Sequence, residues 1–291
     1  MKVWVIYVIC SALALGLYDF CKKQSVRENS TLPVLLMATL CGSAFYLLLS
    51  LCTGQLADAW RCTPRQYLLI WVKALIVGSS WLCAYRALTT LPLSIAAPIR
   101  ATSPLWVLIG ATLIFREIPS VGEGIGMALV LLGYCFFTLL GHREGFAFRN
   151  SPEMRLVILG TLLGATSGLY DKFLLNTLAI PVPTVQAHFS VNLVVLFGLA
   201  WLVRRVTVPV RPAQWRWSIP ATGVLLIVAD WCYFHAVGMP DVPISQVALV
   251  RRCSCIVTFL LSAFVLKERN IRAKAVALLF ILIGVALMGL S

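Results

Sequence analysis

The chain has 291 residues, 60% of them hydrophobic and only 12% charged, with a mean hydropathy of +0.91. A soluble domain is about a quarter charged, so a soluble globular enzyme is excluded, and the longest polar stretch, His142–Arg155, is too short to fold alone. The formal charge of +13 does not mark a nucleic-acid binder, because the basic residues sit in short loops between apolar runs, as the positive-inside bias requires.

Apolar runs of about 20 residues recur along the whole chain, the length a helix needs to cross a bilayer. They predict an all-α fold: a polytopic membrane protein with ten transmembrane helices. Their approximate positions are 3–23, 32–51, 66–89, 91–115, 121–140, 155–177, 183–203, 214–237, 242–266 and 271–290. The first run could pass for a secretory leader cleaved after Ala12-Leu13-Ala14. However, Gly16-Leu17-Tyr18-Asp19 recurs as Gly168-Leu169-Tyr170-Asp171, which assigns the run to the mature fold. Breaks fall at proline or charge, as at Thr63-Pro64, Leu91-Pro92, Ser151-Pro152 and Met239-Pro240. The ten cysteines form no CxxC or Cys/His cluster and read as packing residues.

The fourth predicted helix, Ser94–Glu117, is echoed by the ninth, Ser245–Glu268, at an offset of 151 residues. Ser94 matches Ser245, Arg100 matches Arg251, and Glu117 matches Glu268; Gly133 also matches Gly284. Two units follow, 1–141 and 155–291, with 142–154 as the linker loop. Five helices per unit is an odd number, so the second unit enters the membrane from the opposite face, an inverted-topology repeat. Loops on one face carry 14 basic residues against 4 on the other, which puts both termini outside, with the bacterial inner membrane as the expected location.

Ionisable residues within the spans are the candidate site, since charge at membrane depth is costly unless it pairs or faces water. Arg100 lies about 14 Å along its helix at 1.5 Å per residue, and Arg251 is placed alike. Arginine offers planar bidentate donors to carboxylate or phosphate, so the pair reads as an anion clamp; the alternative is structural pairing with buried carboxylates. Arg252 points 100° away from Arg251 around the helix. Asp19, Asp171 and Asp230 are the carboxylates for coupling or charge pairing. Asp19 has Lys22 and Lys23 at i+3 and i+4, whereas Asp171 needs a partner across the bundle, an arginine by expectation. Arg86 and His235 occupy matching places, with Tyr85 adjacent to Arg86, and Tyr18 and Tyr170 repeat as a pair; all are candidate cavity residues. His188 and Asn192 fit interhelical hydrogen bonding, and Gly126-Ala128 with Gly284-Ala286 fit close packing, including a homodimer face. No catalytic, metal or cofactor motif appears.

The order of these motifs resembles the drug/metabolite transporter superfamily and its ten-helix EamA-type members. The residues that carry the resemblance are Ala84-Tyr85-Arg86-Ala87-Leu88, Pro92-Leu93-Ser94, Ala96-Ala97-Pro98, Arg116-Glu117, Gly122, Gly126, Gly133, Lys267-Glu268-Arg269 and Gly284. Arg100 with Arg251-Arg252 also resembles the basic set of triose-phosphate translocators in that superfamily, which have lysine at two of these places. The resemblance implies a secondary transporter working by alternating access on a small anionic metabolite, phosphorylated or carboxylated. Alternatives are a proton-coupled exporter of amino acids or drug-like metabolites, a membrane-embedded transferase or flippase acting on a lipid phosphate, and a non-transporting receptor.

Overall fold

The computed structural model describes residues 3–26, 29–88, 100, 102–139, 152–207 and 214–254, with positions 257, 261, 279, 280, 283, 284 and 287. Ten α-helices and no strand occur among them. They are α1 (Val3–Val26), α2 (Thr31–Cys52), α3 (Leu56–Trp60), α4 (Pro64–Leu88), α5 (Ser103–Phe115), α6 (Val121–Leu139), α7 (Pro152–Lys172), α8 (Val182–Thr207), α9 (Ser218–Gly238) and α10 (Ile244–Arg252). A π-helical turn, Phe173–Thr177, extends α7. Five of these helices (α1, α2, α4, α8 and α9) contain stretches long and apolar enough to cross a membrane. Stretches of 13 residues in α5 and 10 in α6 are apolar but shorter. Large apolar side chains face outward while some charges lie inside with the hydrophobic core: Leu113 is 77% exposed and Lys73 is 2% exposed. A hydrocarbon solvent allows that arrangement, because apolar side chains cost nothing on a lipid-facing surface and a charge at membrane depth is tolerated where it pairs inside the protein or faces water.

The largest packing interfaces join the first half of the chain to the second. α1 and α2 pack on α9, α4 on α7, α2 and α4 on α8, α5 on α7 and α10, and α1 on α10. This set maps onto itself when α1, α2, α4 and α5 are exchanged for α7, α8, α9 and α10. The closest approach is at Gly223 of α9, where a Cβ would lie 2.1 Å from the Ala38 carbonyl oxygen of α2. Only glycine lets the two backbones meet so closely.

Local sequence fixes the ends. Thr63 and Gln66 form a capping box ahead of α4: the Gln66 amide donates to Thr63 Oγ1 at 3.3 Å and the Thr63 amide to Gln66 Oε1 at 2.9 Å. Two elements depart from expectation. The single turn α3 falls in a stretch read as loop, and is held because Ala59 is fully buried and the Trp60 ring meets His188 edge-on at 4.8 Å. The helix expected over 91–115 is broken where described: Arg100 is helical, Thr102 lies in a turn, and α5 starts at Ser103. Pro104 sits in its first turn, lacks the amide that would bond to the Arg100 carbonyl four residues back, and clashes with it. Residues 89–99 and the linker at 142–151 lie outside the described residues, as do most of the expected helices beyond Ser254. Gly284 packs on Gly126 within the same chain, a Cβ there meeting the Gly126 carbonyl oxygen at 2.5 Å, so these small residues serve intramolecular packing.

Candidate functional site

A cavity of about 240 Å³ lies between α1, α4, α5, α7, α8, α9 and α10. Each helix contributes one face. α4 gives Lys73, Val77, Ser80, Trp81 and Ala84, and α9 gives Leu226, Asp230, Tyr233 and Phe234, both at the i, i+4, i+7, i+8 spacing of a single stripe. α7 lines the wall with small residues, Gly160 to Gly168, and ends it with Asp171. Ser80 Oγ donates to the Gly160 carbonyl at 2.7 Å, fixing α4 against α7 beside the cavity.

The lining carries five cations, Lys22, Lys73, Arg100, Arg251 and Arg252, against three carboxylates, Asp19, Asp171 and Asp230. Two buried ion pairs account for much of this charge. Lys73 donates to Asp171 Oδ1 with both side chains at most 5% exposed, and its ammonium lies over the rings of Phe189 and Phe234 at 4.3 and 4.7 Å. Arg251 Nη2 donates to Asp230 Oδ1, and its guanidinium stacks on Tyr233 at 4.0 Å. The buried Nε of Arg251 has no hydrogen-bond partner among the described residues. No carboxylate pairs with Arg100 among the described residues, and its side chain is half-buried at the cavity wall. Arg251 and Arg252 occupy the last turn of α10, where the helix dipole favours positive charge.

The structure thus brings Arg100, Arg251, Arg252, Tyr18, Asp19, Asp171 and Asp230 to one cavity. Other candidates lie elsewhere. Tyr170 is turned away from the lining and donates its hydroxyl to the Leu69 carbonyl at 3.1 Å. His235 packs on the far side of α9, stacked on Tyr7 at 5.7 Å with Nδ1 2.8 Å from the Trp231 carbonyl. Arg86 is exposed near the end of α4 and does not line the cavity. The Tyr85 side chain lies outside the described residues. The partner of Asp171 is a lysine, Lys73, in place of the expected arginine. Its signal was present: a charged residue ten positions into the apolar Pro64–Leu88 run.

Away from the cavity, Glu117 ties three elements together. It accepts from Lys172, from the Ile244 amide at 3.2 Å and from Ser245 Oγ at 3.4 Å, while Lys172 also donates to the Val242 carbonyl at 2.8 Å. One carboxylate therefore caps α10 and holds it to the chain after α5 and to the end of α7.

The model of the EamA-like transporter family matches this sequence twice, over residues 2–139 and 152–290. The chain belongs to the EamA-like transporter family. As an EamA-like protein it is a membrane transporter and not an enzyme. It is similar to the probable 4-amino-4-deoxy-L-arabinose-phosphoundecaprenol flippase subunit ArnE of Erwinia tasmaniensis, 30% identical over 87 residues, or 28% of this chain and 81% of that protein. One solved crystal structure of a protein superposes over 99% of both chains with a TM-score of 0.82 at 15% identity, a likeness that carries the fold alone.

Proposed function

We propose that this EamA-like transporter moves a small anionic metabolite, phosphorylated or carboxylated, by alternating access. Ten spans in two inverted five-helix halves, 1–141 and 155–291, would rock about the central cavity and open it to each face in turn. The inner membrane is the proposed location, with both termini outside. The observation that carries the reading is the meeting of Arg100 and Arg251 at one net-cationic cavity, with Arg100 lacking a carboxylate partner among the described residues. A guanidinium at membrane depth is costly unless it pairs or faces water, and Arg100 lines the cavity, which favours an anion entering there. The volume takes about eight waters at about 30 Å³ each, enough for a small metabolite. The experiment is counterflow in proteoliposomes with phosphorylated sugars and dicarboxylates. Arg100→Ala and Arg251→Ala are expected to abolish it, and wild-type flux by both variants would end the reading.

A second reading has one observation in its favour, the similarity to a protein named as a subunit of a lipid-linked aminoarabinose flippase. A cavity of about 240 Å³ admits a phosphate headgroup but not a polyprenyl chain, so such a substrate would leave its tail in the bilayer. Competition by a soluble phosphate ester separates the two: it blocks uptake of a soluble metabolite at low concentration and leaves lipid translocation nearly unchanged.

A further inference from the structure

The cavity stops short of one end of the molecule. α1 lines it only from Leu15, α4 only from Lys73 and α10 only from Ala248, while α9 lines it no further than Phe234. The remaining turns of these helices meet at that end. Tyr7 of α1 stacks on His235 of α9, Tyr170 of α7 donates to the Leu69 carbonyl of α4, and Asn176 Nδ2 donates to the Met239 carbonyl at 3.0 Å. Two charged layers close it. Asp171 faces the cavity and holds Lys73. Lys172, about 100° further round α7, points away from the cavity and holds Glu117, which also accepts from the Ile244 amide and Ser245 Oγ. Both layers join the first half of the chain to the second, so the cavity cannot open toward this end until they part. The outer pair is the more accessible, its side chains 10% and 13% exposed against 2% and 5% for the inner one.

The backbone beside the outer pair is strained. Arg116, Ala179 and Asp241 are the non-glycine residues with positive φ among the described residues, at 56°, 50° and 59°. Arg116 precedes Glu117, and Asp241 precedes Val242, whose carbonyl accepts from Lys172. Ala179 follows the π-helical turn that extends α7 beyond Lys172. Such conformations persist where surrounding contacts over-determine them, and they cluster in segments that switch. We infer that Glu117 and Lys172 are the latch of a gate, which shuts the cavity from this face in the present structure and opens it there by parting. This rests on the alternating-access part of the proposed function and not on the charge of the substrate. On parting, both latch charges pass to water at the rim, so neither is stranded. Water then reaches Lys73 and Asp171, which lowers the cost of separating them. The sequence repeats the parts on either side of Glu117: Pro92-Leu93-Ser94 echoes Pro243-Ile244-Ser245, and Glu268 echoes Glu117, all at 151 residues. These copies lie outside the described residues; two faces that close in turn would each need a set.

The test is cysteine accessibility of the full-length protein in right-side-out and inverted membrane vesicles, so that each face is read separately. Ser167→Cys places a thiol on the cavity wall. Its modification by a small impermeant methanethiosulfonate is measured against the chain without the added cysteine. With the latch intact, labelling is expected chiefly from the face opposite Glu117. Adding Glu117→Gln or Lys172→Gln should raise labelling from the Glu117 face at least about fivefold and lower it from the other. The double variant Glu117→Gln/Lys172→Gln strands no charge, so its stability recovers while its labelling stays raised. Unchanged labelling from the Glu117 face in all three variants overturns the inference. Labelling that returns to the intact level in the double variant also overturns it, because the single variants then acted through a stranded charge. A rise from both faces together with labelling of the buried Cys232 marks unfolding and overturns it as well. Labelling of Ser167→Cys from neither face in any variant overturns the cavity as a passage, and alternating access with it.

Discussion

Lys73→Met tests whether the sealed pair is built as described. The substitution keeps the length and apolar stem of the side chain but strands the Asp171 carboxylate, which is 4% exposed. Breaking a buried pair by removing one partner costs about 3–5 kcal/mol, because the surviving charge is left without compensation. The two lost ring contacts contribute about 1 kcal/mol within that figure. At about 2–4 °C per kcal/mol, the apparent melting temperature should fall by roughly 10 °C. Replacing both partners, Lys73→Met with Asp171→Leu, removes the stranded charge and should bring stability back to within about 1–2 kcal/mol of wild type. The assay is a thermal-shift measurement of both variants in one detergent. A single variant as stable as wild type, or a double variant no better than the single, would refute the reasoning.

Other consequences are as direct. Gly223→Ala places a methyl against the Ala38 carbonyl at a site where neither backbone can yield, and should cost at least about 2 kcal/mol in thermal stability. Glu117→Gln keeps an acceptor for the Ile244 amide but leaves Lys172, 10% exposed, without its counter-charge; a loss of about 3 kcal/mol is expected, and unchanged stability would mean the lock carries no load. The proposed orientation predicts that a cysteine at Arg61 reacts with an impermeant maleimide from outside the cell, and one at Arg205 only from the cytoplasm. The reverse labelling would invert the topology.

The helices were largely legible because each is a long apolar run bounded by proline or charge; α1, α2, α4 and α6 start within two residues of expectation. The break at Pro104 was readable by the same rule, since a proline four residues after Arg100 forbids a regular helix there. Of the cavity residues expected from the sequence, the repeat doubles Arg100 with Arg251 and Asp19 with Asp171, whereas Arg252 and Asp230 stand out by charge alone. The repeat misled at Tyr170, whose twin Tyr18 lines the cavity while its own hydroxyl is taken by Leu69. It was silent on Lys73, because the matching residue at the 149-residue offset is Thr222. Asp230, matched by Trp81, was flagged by its charge alone, and its partner Arg251 lies 21 residues on in the next helix. Pairings such as Lys73–Asp171, 98 residues apart, depend on how α4 and α7 meet, which no single-helix pattern encodes.

In the proposed transport cycle one anion touches Arg100 and Arg251 together. A double-mutant cycle on the dissociation constant of a phosphorylated or dicarboxylate probe, with Arg100→Ala, Arg251→Ala and both, measures that directly. Each single variant should weaken binding at least tenfold, and the double should depart from additivity by about 0.5–3 kcal/mol, as groups sharing one ligand do. Strictly additive losses, or wild-type affinity in either single variant, would contradict it.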